Sequence, residues 1–95
     1  MSYKFPTWVE TPPNQSDEAR ASKRLRFILE QVCTSTGLLR IAVLARHCNV
    51  ERTSIHFYIR RGKFSAAMAQ QIEDALGKTV VRASHLTDPL SIKAK

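Results

Sequence analysis

Cysteine and glycine are scarce in this 95-residue sequence, which has two of the first and three of the second. Two cysteines are too few for the disulfide framework of a small secreted domain. We predict that Cys33 and Cys48 are small buried core residues, with a disulfide as the alternative. No glycine-rich phosphate-binding loop is recognisable, so the common nucleotide-binding loops are excluded.

Long apolar runs are missing as well. No stretch approaches the roughly 18 apolar residues that a membrane span needs. The N-terminal MSYKFPTWVETPPNQ lacks the basic start and the apolar block of a signal peptide. We therefore expect a cytoplasmic protein that does not interact with membranes.

Catalytic and metal-binding patterns are equally hard to find. Serines, histidines and acids occur without an acid pair or a recognisable nucleophile arrangement. Cys33, His47, Cys48 and His56 are residue types that bind zinc, but they lack the paired spacing of zinc ligands. We predict no enzymatic activity, no metal, no cofactor and no small-molecule ligand.

Acidic residues are few, since eight Asp and Glu oppose fifteen Lys and Arg and give a formal net charge of +7. A domain this basic usually binds a polyanion, and nucleic acid is the first candidate. At this length the chain forms one domain. The stretch from residue 39 to residue 64 contains Glu51 as its one acid and these bases: Arg40, Arg46, Arg52, Arg60, Arg61 and Lys63.

Apolar residues recur at helical spacing, which predicts an all-α fold, a compact bundle of four to five short helices. A long helix begins at Asn14 or Ser16, which are good caps, and ends near Gly37. Its basic residues are expected to face solvent, either as a solvated surface or as phosphate contacts. They are Arg20, Lys23, Arg24 and Arg26.

A second helix is predicted over LLRIAVLARHC, with the following residues facing inward: Leu39, Val43, Leu44 and Cys48. Asn49 readily adopts the left-handed backbone of a sharp turn, and Val50 places an apolar side chain after it. A third helix covers residues 52 to 61. Ser65 begins a fourth helix that ends at Gly77, and one more helical turn is expected at residues 84 to 86.

Both ends of the chain are predicted to differ from the helical domain of residues 14 to 88. Residues 1 to 13 contain three prolines and are expected to form an extended arm. Its Tyr3, Phe5 and Trp8 either pack on the domain or across a dimer, or the arm follows DNA; we favour packing. Residues 89 to 95 are expected to be a disordered tail.

The third helix has two faces of different chemistry. At 100° per residue, Ile55, Tyr58 and Ile59 form one apolar stripe. The opposite side is basic and rich in hydrogen-bonding groups, as the edges of the DNA major groove require. Its residues are Arg52, Thr53, His56, Phe57 and Arg60.

Residues 39 to 61 resemble a helix-turn-helix of the phage-repressor and Cro type, and the longer stretch from Ala45 to Pro89 is similar to small YdaS-like and Cro-like prophage regulators. The family usually has glycine at the position of Asn49 and tryptophan at that of Tyr58. Glu51 occupies a position where Ser or Thr usually caps the recognition helix and bonds a phosphate. The residues that match the motif are Leu44, Ala45, Cys48, Asn49, Val50, Ile55 and Tyr58.

The resemblance implies a DNA-binding domain over residues 14 to 88 and a role for each outward side chain. Arg52 and Thr53 occupy the helix end that reaches base edges, followed by His56 and Phe57. The alternatives are that Arg52 contacts only a phosphate and that His56 is a simple exposed histidine. Phe57 contacts a thymine methyl, or else packs on Phe64 or the arm. Phosphate contacts are assigned to Arg40, Arg60, Arg61 and Lys63.

The sequence thus predicts a sequence-specific regulator of transcription that binds double-stranded DNA. The resemblance favours a phage- or mobile-element-type repressor that acts as a homodimer on a two-fold operator, nucleoid-associated when bound. One alternative is an antitoxin or adaptor that uses the same scaffold to bind a protein. Another is a non-specific architectural DNA binder, although the minor-groove wedges of that class are scarce here.

Overall fold

The longest helix, α2 (Asp17–Thr36), begins and ends where its sequence signals lie. In the computed structural model, which describes residues 3 to 92, the Ser16 hydroxyl accepts a hydrogen bond from the Ala19 N–H at 3.1 Å. Gly37 ends the helix with a left-handed backbone at φ 75°. Between these two ends, α2 buries one apolar stripe along its length.

All regular secondary structure within residues 3 to 92 is helical, so the all-α prediction is confirmed with six helices instead of four to five. The helices surround one core to which α2 contributes the largest share. They are α1 (Thr7–Glu10), α2, α3 (Ile41–His47), α4 (Arg52–Arg61), α5 (Ala66–Leu76) and α6 (Ala83–Thr87), followed by a 3₁₀ turn (Pro89–Ser91).

The stripe of α2 is the surface on which most of the other elements assemble. Helices α1, α3 and α4 and the 3₁₀ turn all pack against α2, and α5 packs against α6. Leu25, Ile28 and Leu29 are fully buried at this junction.

Within the described residues no single helix is long and apolar enough to cross a membrane. Helices α2 and α3 reach that length and apolarity only together, and the chain bends by 72° between them.

The N-terminal segment packs on the domain, as predicted, but it is not extended throughout. Residues 7 to 10 form one helical turn whose Val9 is fully buried. The Phe5 ring meets Phe27 of α2 edge to face at 5.6 Å between centroids, and Trp8 meets the same ring at 6.4 Å. The aromatic side chains therefore serve as packing groups on α2.

The prediction that Arg24 faces solvent is wrong, because its side chain is only 8% exposed. Its Nη1 donates to the carbonyl oxygens of Pro89 at 3.0 Å and Ile92 at 2.7 Å. Its Nη2 donates to Glu10 Oε1 at 3.1 Å, and the guanidinium carbon lies 4.6 Å from the centre of the Phe5 ring. One buried cation thus joins both ends of the chain to α2.

The same contacts correct the prediction of a disordered tail from residue 89. Pro89–Ser91 form a 3₁₀ turn, and Pro89 and Ile92 are buried. Residues 93 to 95 lie outside the described residues. The physical reason is that Pro89 and Ile92 accept hydrogen bonds from Arg24 Nη1 and are themselves buried, and neither contact is visible in the local sequence.

Glu73 is the other buried charged residue in the described chain, at 8% exposure. Its Oε1 accepts the backbone N–H of Ala83 at 3.1 Å, and its Oε2 accepts from Gln70 Nε2 at 2.8 Å. The Ala83 N–H is one of the otherwise unpaired donors at the start of α6. These bonds lower the pKa of Glu73, with the Ala83 bond as the largest cause and nearby Lys78 and Arg82 adding to it.

We predict that Arg24→Met lowers the free energy of unfolding by about 2 to 4 kcal/mol, because it leaves the Pro89 and Ile92 carbonyls and the Glu10 carboxylate without their donor. The exposed Arg46→Met is the control and changes stability by no more than about 0.5 kcal/mol. Urea unfolding measures both, and equal losses would contradict the role assigned to Arg24.

We also predict that the free energy of unfolding of Glu73→Gln falls less steeply than that of the parent as the pH is lowered in the acidic range. A carboxyl whose pKa is lowered by folding stabilises the fold above its unfolded value, about 4.5, and this contribution is lost as pH falls through the lowered folded pKa. Urea unfolding at a series of acidic pH values therefore gives a shallower decline for the variant. Glu51→Gln, which removes an exposed carboxylate, should keep the parent slope; identical profiles for all three proteins would refute the prediction.

Candidate nucleic-acid interface

Helices α3 and α4 are joined by a four-residue turn, Cys48 to Glu51, of defined backbone geometry. Asn49 has a left-handed backbone at φ 57°, as predicted. The Cys48 N–H donates to the Leu44 carbonyl at 3.0 Å, and the Val50 N–H donates to the Ala45 carbonyl at 2.9 Å. These bonds close the end of α3 and set the direction in which α4 begins.

A side chain from α5 secures this turn. Gln71 Nε2 donates to the carbonyl oxygens of Cys48 at 3.0 Å and Asn49 at 2.9 Å. The bonds satisfy acceptors that the end of α3 leaves unpaired. Sequence reasoning missed Gln71, because nothing in the local pattern distinguishes it from its neighbour Gln70.

The inner face of α4 anchors the helix as its apolar stripe predicted. Ile55 is fully buried, and Ile59 is 8% exposed. The half-buried Tyr58 stacks on Phe64 with 5.4 Å between ring centroids. Gly62 ends α4 with a left-handed backbone, and a Cβ at that position would come within 3.3 Å of Ala21 Cβ and the Glu18 carbonyl oxygen. The helix is thus held against α2 and α3 along its inner side.

The outer face of α4 brings together the side chains that were predicted to contact bases. Phe57 is half exposed, and its ring meets Tyr58 edge to face at 5.3 Å. Its neighbours on this face offer a guanidinium, a hydroxyl and an imidazole to solvent. The exposed residues of the outer face are Arg52, Thr53, His56, Phe57 and Arg60.

Glu51 is the N-cap residue of α4, but its side chain makes no capping hydrogen bond in the described chain. Its carbonyl oxygen accepts the Ile55 N–H at 3.2 Å, so the helix begins normally. The first N–H groups of α4 therefore lack the side-chain acceptor that Ser65 supplies to α5.

The four residues assigned to phosphate have different surroundings. Arg40 is exposed as the N-cap residue of α3, and Arg60 is exposed on α4. Arg61 and Lys63 line a shallow hollow that is also lined by three carboxylates. Those acids compete with phosphate for the two cations. The carboxylate residues are Asp17, Glu18 and Asp88.

Two residues predicted to face inward on α3 are exposed instead. Leu39 is 81% exposed with φ 52°, and Val43 is 39% exposed. Leu39 is exposed because α3 begins at Ile41, so that Leu39 lies in the preceding loop and Leu38 and Ile41 pack against the core in its place. The predicted inward positions of Leu44 and Cys48 are confirmed.

Cys33 and Cys48 are free buried thiols in the described structure, as the preferred interpretation of the sequence predicted. Burial raises the pKa of both, Cys33 further through the nearby charge of Glu30 and Cys48 through Cys33. A raised pKa makes a thiol a poor nucleophile and metal ligand at neutral pH. Among residues 3 to 92, no group of three or more His, Cys, Asp or Glu could hold a metal ion.

Comparisons with models of protein families, with curated proteins and with solved structures found no match to this chain.

The turn generates a matched pair of predictions at Asn49. Asn49→Gly should leave stability within about 0.5 kcal/mol of the parent, because glycine adopts a left-handed backbone freely. Asn49→Ala should cost about 1 to 2 kcal/mol through the Cβ strain at φ 57°. Thermal or urea unfolding distinguishes them; an alanine variant as stable as the glycine variant would mean that the turn is not left-handed in solution.

Proposed function

We propose that this protein is a sequence-specific regulator that binds double-stranded DNA and inserts α4 into the major groove. The observation that carries the proposal is the two-sided character of α4. On its inner face, Ile55 and Ile59 are buried in the core. Its outer face has five exposed side chains, which include hydrogen-bond donors, a hydroxyl and one apolar ring. A rigid helix with such a face suits the recognition of base edges.

The dimensions of α4 agree with this role. Its ten residues span about 15 Å at 1.5 Å per residue, and the major groove is about 12 Å wide and admits one helix. Arg52 and Thr53 lie in the first turn, the end that reaches base edges when such helices dock. Arg52 has the forked donors that pair with guanine, and Phe57 offers an apolar surface to a thymine methyl.

The turn before α4 supports the proposal because it fixes the angle at which α4 leaves the domain. Asn49, Val50 and the two bonds from Gln71 hold this connection. Base recognition requires that a reading helix keep its position to within a fraction of an ångström. We propose that α3, the turn and α4 act together as a helix-turn-helix.

A homodimer on a two-fold operator is part of the proposal. One module of this size makes few base contacts, and pairing two modules about one helical turn apart supplies the missing specificity. Regulation would follow from occupancy of the operator in the cytoplasm, in the manner of a phage- or mobile-element-type repressor.

We predict that Arg52→Ala and Arg60→Gln have different effects on DNA binding. Selection of bound sequences from a random duplex library first identifies the preferred site. Arg52→Ala should then lose about 1 to 3 kcal/mol of discrimination at one base pair, because a bidentate base contact is removed. Arg60→Gln should weaken binding to all sequences alike and reduce the slope of log K against log salt by the amount of about one phosphate contact.

The same experiment separates the proposal from its rivals. If the parent protein enriches no sequence near physiological salt, specific recognition is wrong, and a steep salt dependence without a motif would indicate a non-specific architectural binder. Absence of any duplex binding would favour a protein-interaction module. If Arg52→Ala weakens every sequence equally, the assignment of Arg52 to a base is wrong.

A further inference from the structure

A second basic surface adjoins the outer face of α4 and is built mainly by α2. Lys23 and Arg26 of α2 and Arg60 of α4 border one shallow hollow, together with Ser22. Glu18 is the one carboxylate among the described residues that line it. We call this surface the α2–α4 hollow, and its excess of cations makes it suited to an anion.

The hollow differs from its neighbour on the other side of α2. There, Arg61 and Lys63 share their surface with the carboxylates of Asp17, Glu18 and Asp88. Cations surrounded by acids gain less from an approaching phosphate, because the acids already offset part of their charge. Of the two surfaces, the α2–α4 hollow is the one with cations in excess.

The N-terminal segment holds both α2 cations in place. Lys23 Nζ donates to the Thr11 carbonyl oxygen at 2.7 Å. The Arg26 guanidinium carbon lies 4.8 Å from the centre of the Trp8 ring, which in turn packs on Phe27 of α2. The ion pair between Glu30 and Arg26 is weak, because 3.8 Å separates Oε1 from Nε and both side chains are well exposed. Each long side chain thus has a contact with the N-terminal segment in addition to its own helix.

The hollow lies at the far end of the face that we assign to DNA. Arg52, His56 and Arg60 are spaced by four residues, so they lie on nearly the same side of α4. Eight residues of helix place Arg60 about 12 Å from Arg52, close to the width of the major groove. When the Arg52 end meets base edges, Arg60 is at about the distance of a phosphodiester backbone that borders the groove. The α2 cations border the same hollow as Arg60.

We propose that Lys23, Arg26 and Arg60 bind backbone phosphates of the DNA that α4 reads, and that Trp8 and the Thr11 carbonyl position the two α2 cations. The inference rests on the proposed function and extends it, because it gives the N-terminal segment a role in affinity. The expected ligand is a phosphodiester of duplex DNA, since the hollow is shallow and open and continues the outer face of α4.

The test uses the double variant Lys23→Gln/Arg26→Gln of the full chain. Affinity is measured against salt concentration on the preferred duplex and on bulk duplex. Two lost phosphate contacts reduce the slope of log K against log salt by about 1.8 and weaken binding at least roughly tenfold near physiological salt, on both duplexes alike. Lys78→Gln/Arg82→Gln removes equal charge from two exposed positions of the α5–α6 connection and should keep the parent slope.

Two further variants test charge and position. Lys23→Arg/Arg26→Lys keeps both charges and should keep the slope, with circular dichroism melting confirming that each variant is folded. Trp8→Leu should keep the slope and weaken binding about two- to fivefold through loss of the cation–π contact. In an Arg26→Gln background, Trp8→Leu should cause no further loss, which a merely structural role for Trp8 would not produce.

The outcomes distinguish this inference from the proposed function. If a preferred duplex exists but Lys23→Gln/Arg26→Gln keeps the parent slope, or if the control double variant loses as much, the inference is overturned and the function stands. If no sequence is preferred but the slope on bulk duplex falls as expected, the hollow stands and sequence-specific recognition does not. Inorganic phosphate titrated without DNA should not saturate the hollow at millimolar concentration; saturable phosphate binding that Lys23→Gln/Arg26→Gln abolishes while the DNA salt slope stays at the parent value would indicate a free-phosphate site and overturn the inference.

Discussion

The apolar stripe of α2 is the surface that α1, α3, α4 and the 3₁₀ turn cover, and the position of the candidate site follows from that requirement. Leu25, Ile28 and Leu29 are fully buried, and each such side chain contributes about 1.5 to 3 kcal/mol when removed from water. Helix α4 covers part of the stripe with Ile55 and Ile59. Because that side of α4 is committed to the core, its opposite side has to face solvent with Arg52, Thr53, His56, Phe57 and Arg60.

Features that depend on neighbouring residues could be predicted from the sequence. Ser16 and Ser65 cap the helices that follow them, because a hydroxyl next to free backbone N–H groups acts locally. Asn49 adopts the left-handed turn because few other residues do so at low cost. The two faces of α4 follow from helical spacing alone. These local rules were sufficient for the all-α fold and for the exposure of the predicted reading residues.

Features that depend on distant parts of the chain could not be predicted from the sequence. Arg24 and Arg26 look alike in sequence, yet Arg24 is buried because the carbonyls of Pro89 and Ile92 lie 65 and 68 residues away in the chain and meet it in space. Gln71 reaches the turn from α5, and Glu73 reaches the start of α6. Local composition carries no record of such pairings, since each joins separate elements of the chain that meet only in the folded structure. The α2–α4 hollow belongs to the same class.

The proposed mechanism joins these levels: a buried stripe fixes α4, a secured turn sets its direction, and an exposed polar face meets DNA while nearby cations meet phosphate. Whether α4 contacts DNA is tested by amide chemical-shift mapping of the ¹⁵N-labelled protein titrated with duplex DNA. We expect the largest shifts at residues 52 to 57, with smaller ones at Lys23 and Arg26. Shifts confined to α5 and α6, or no shifts at all, would contradict it.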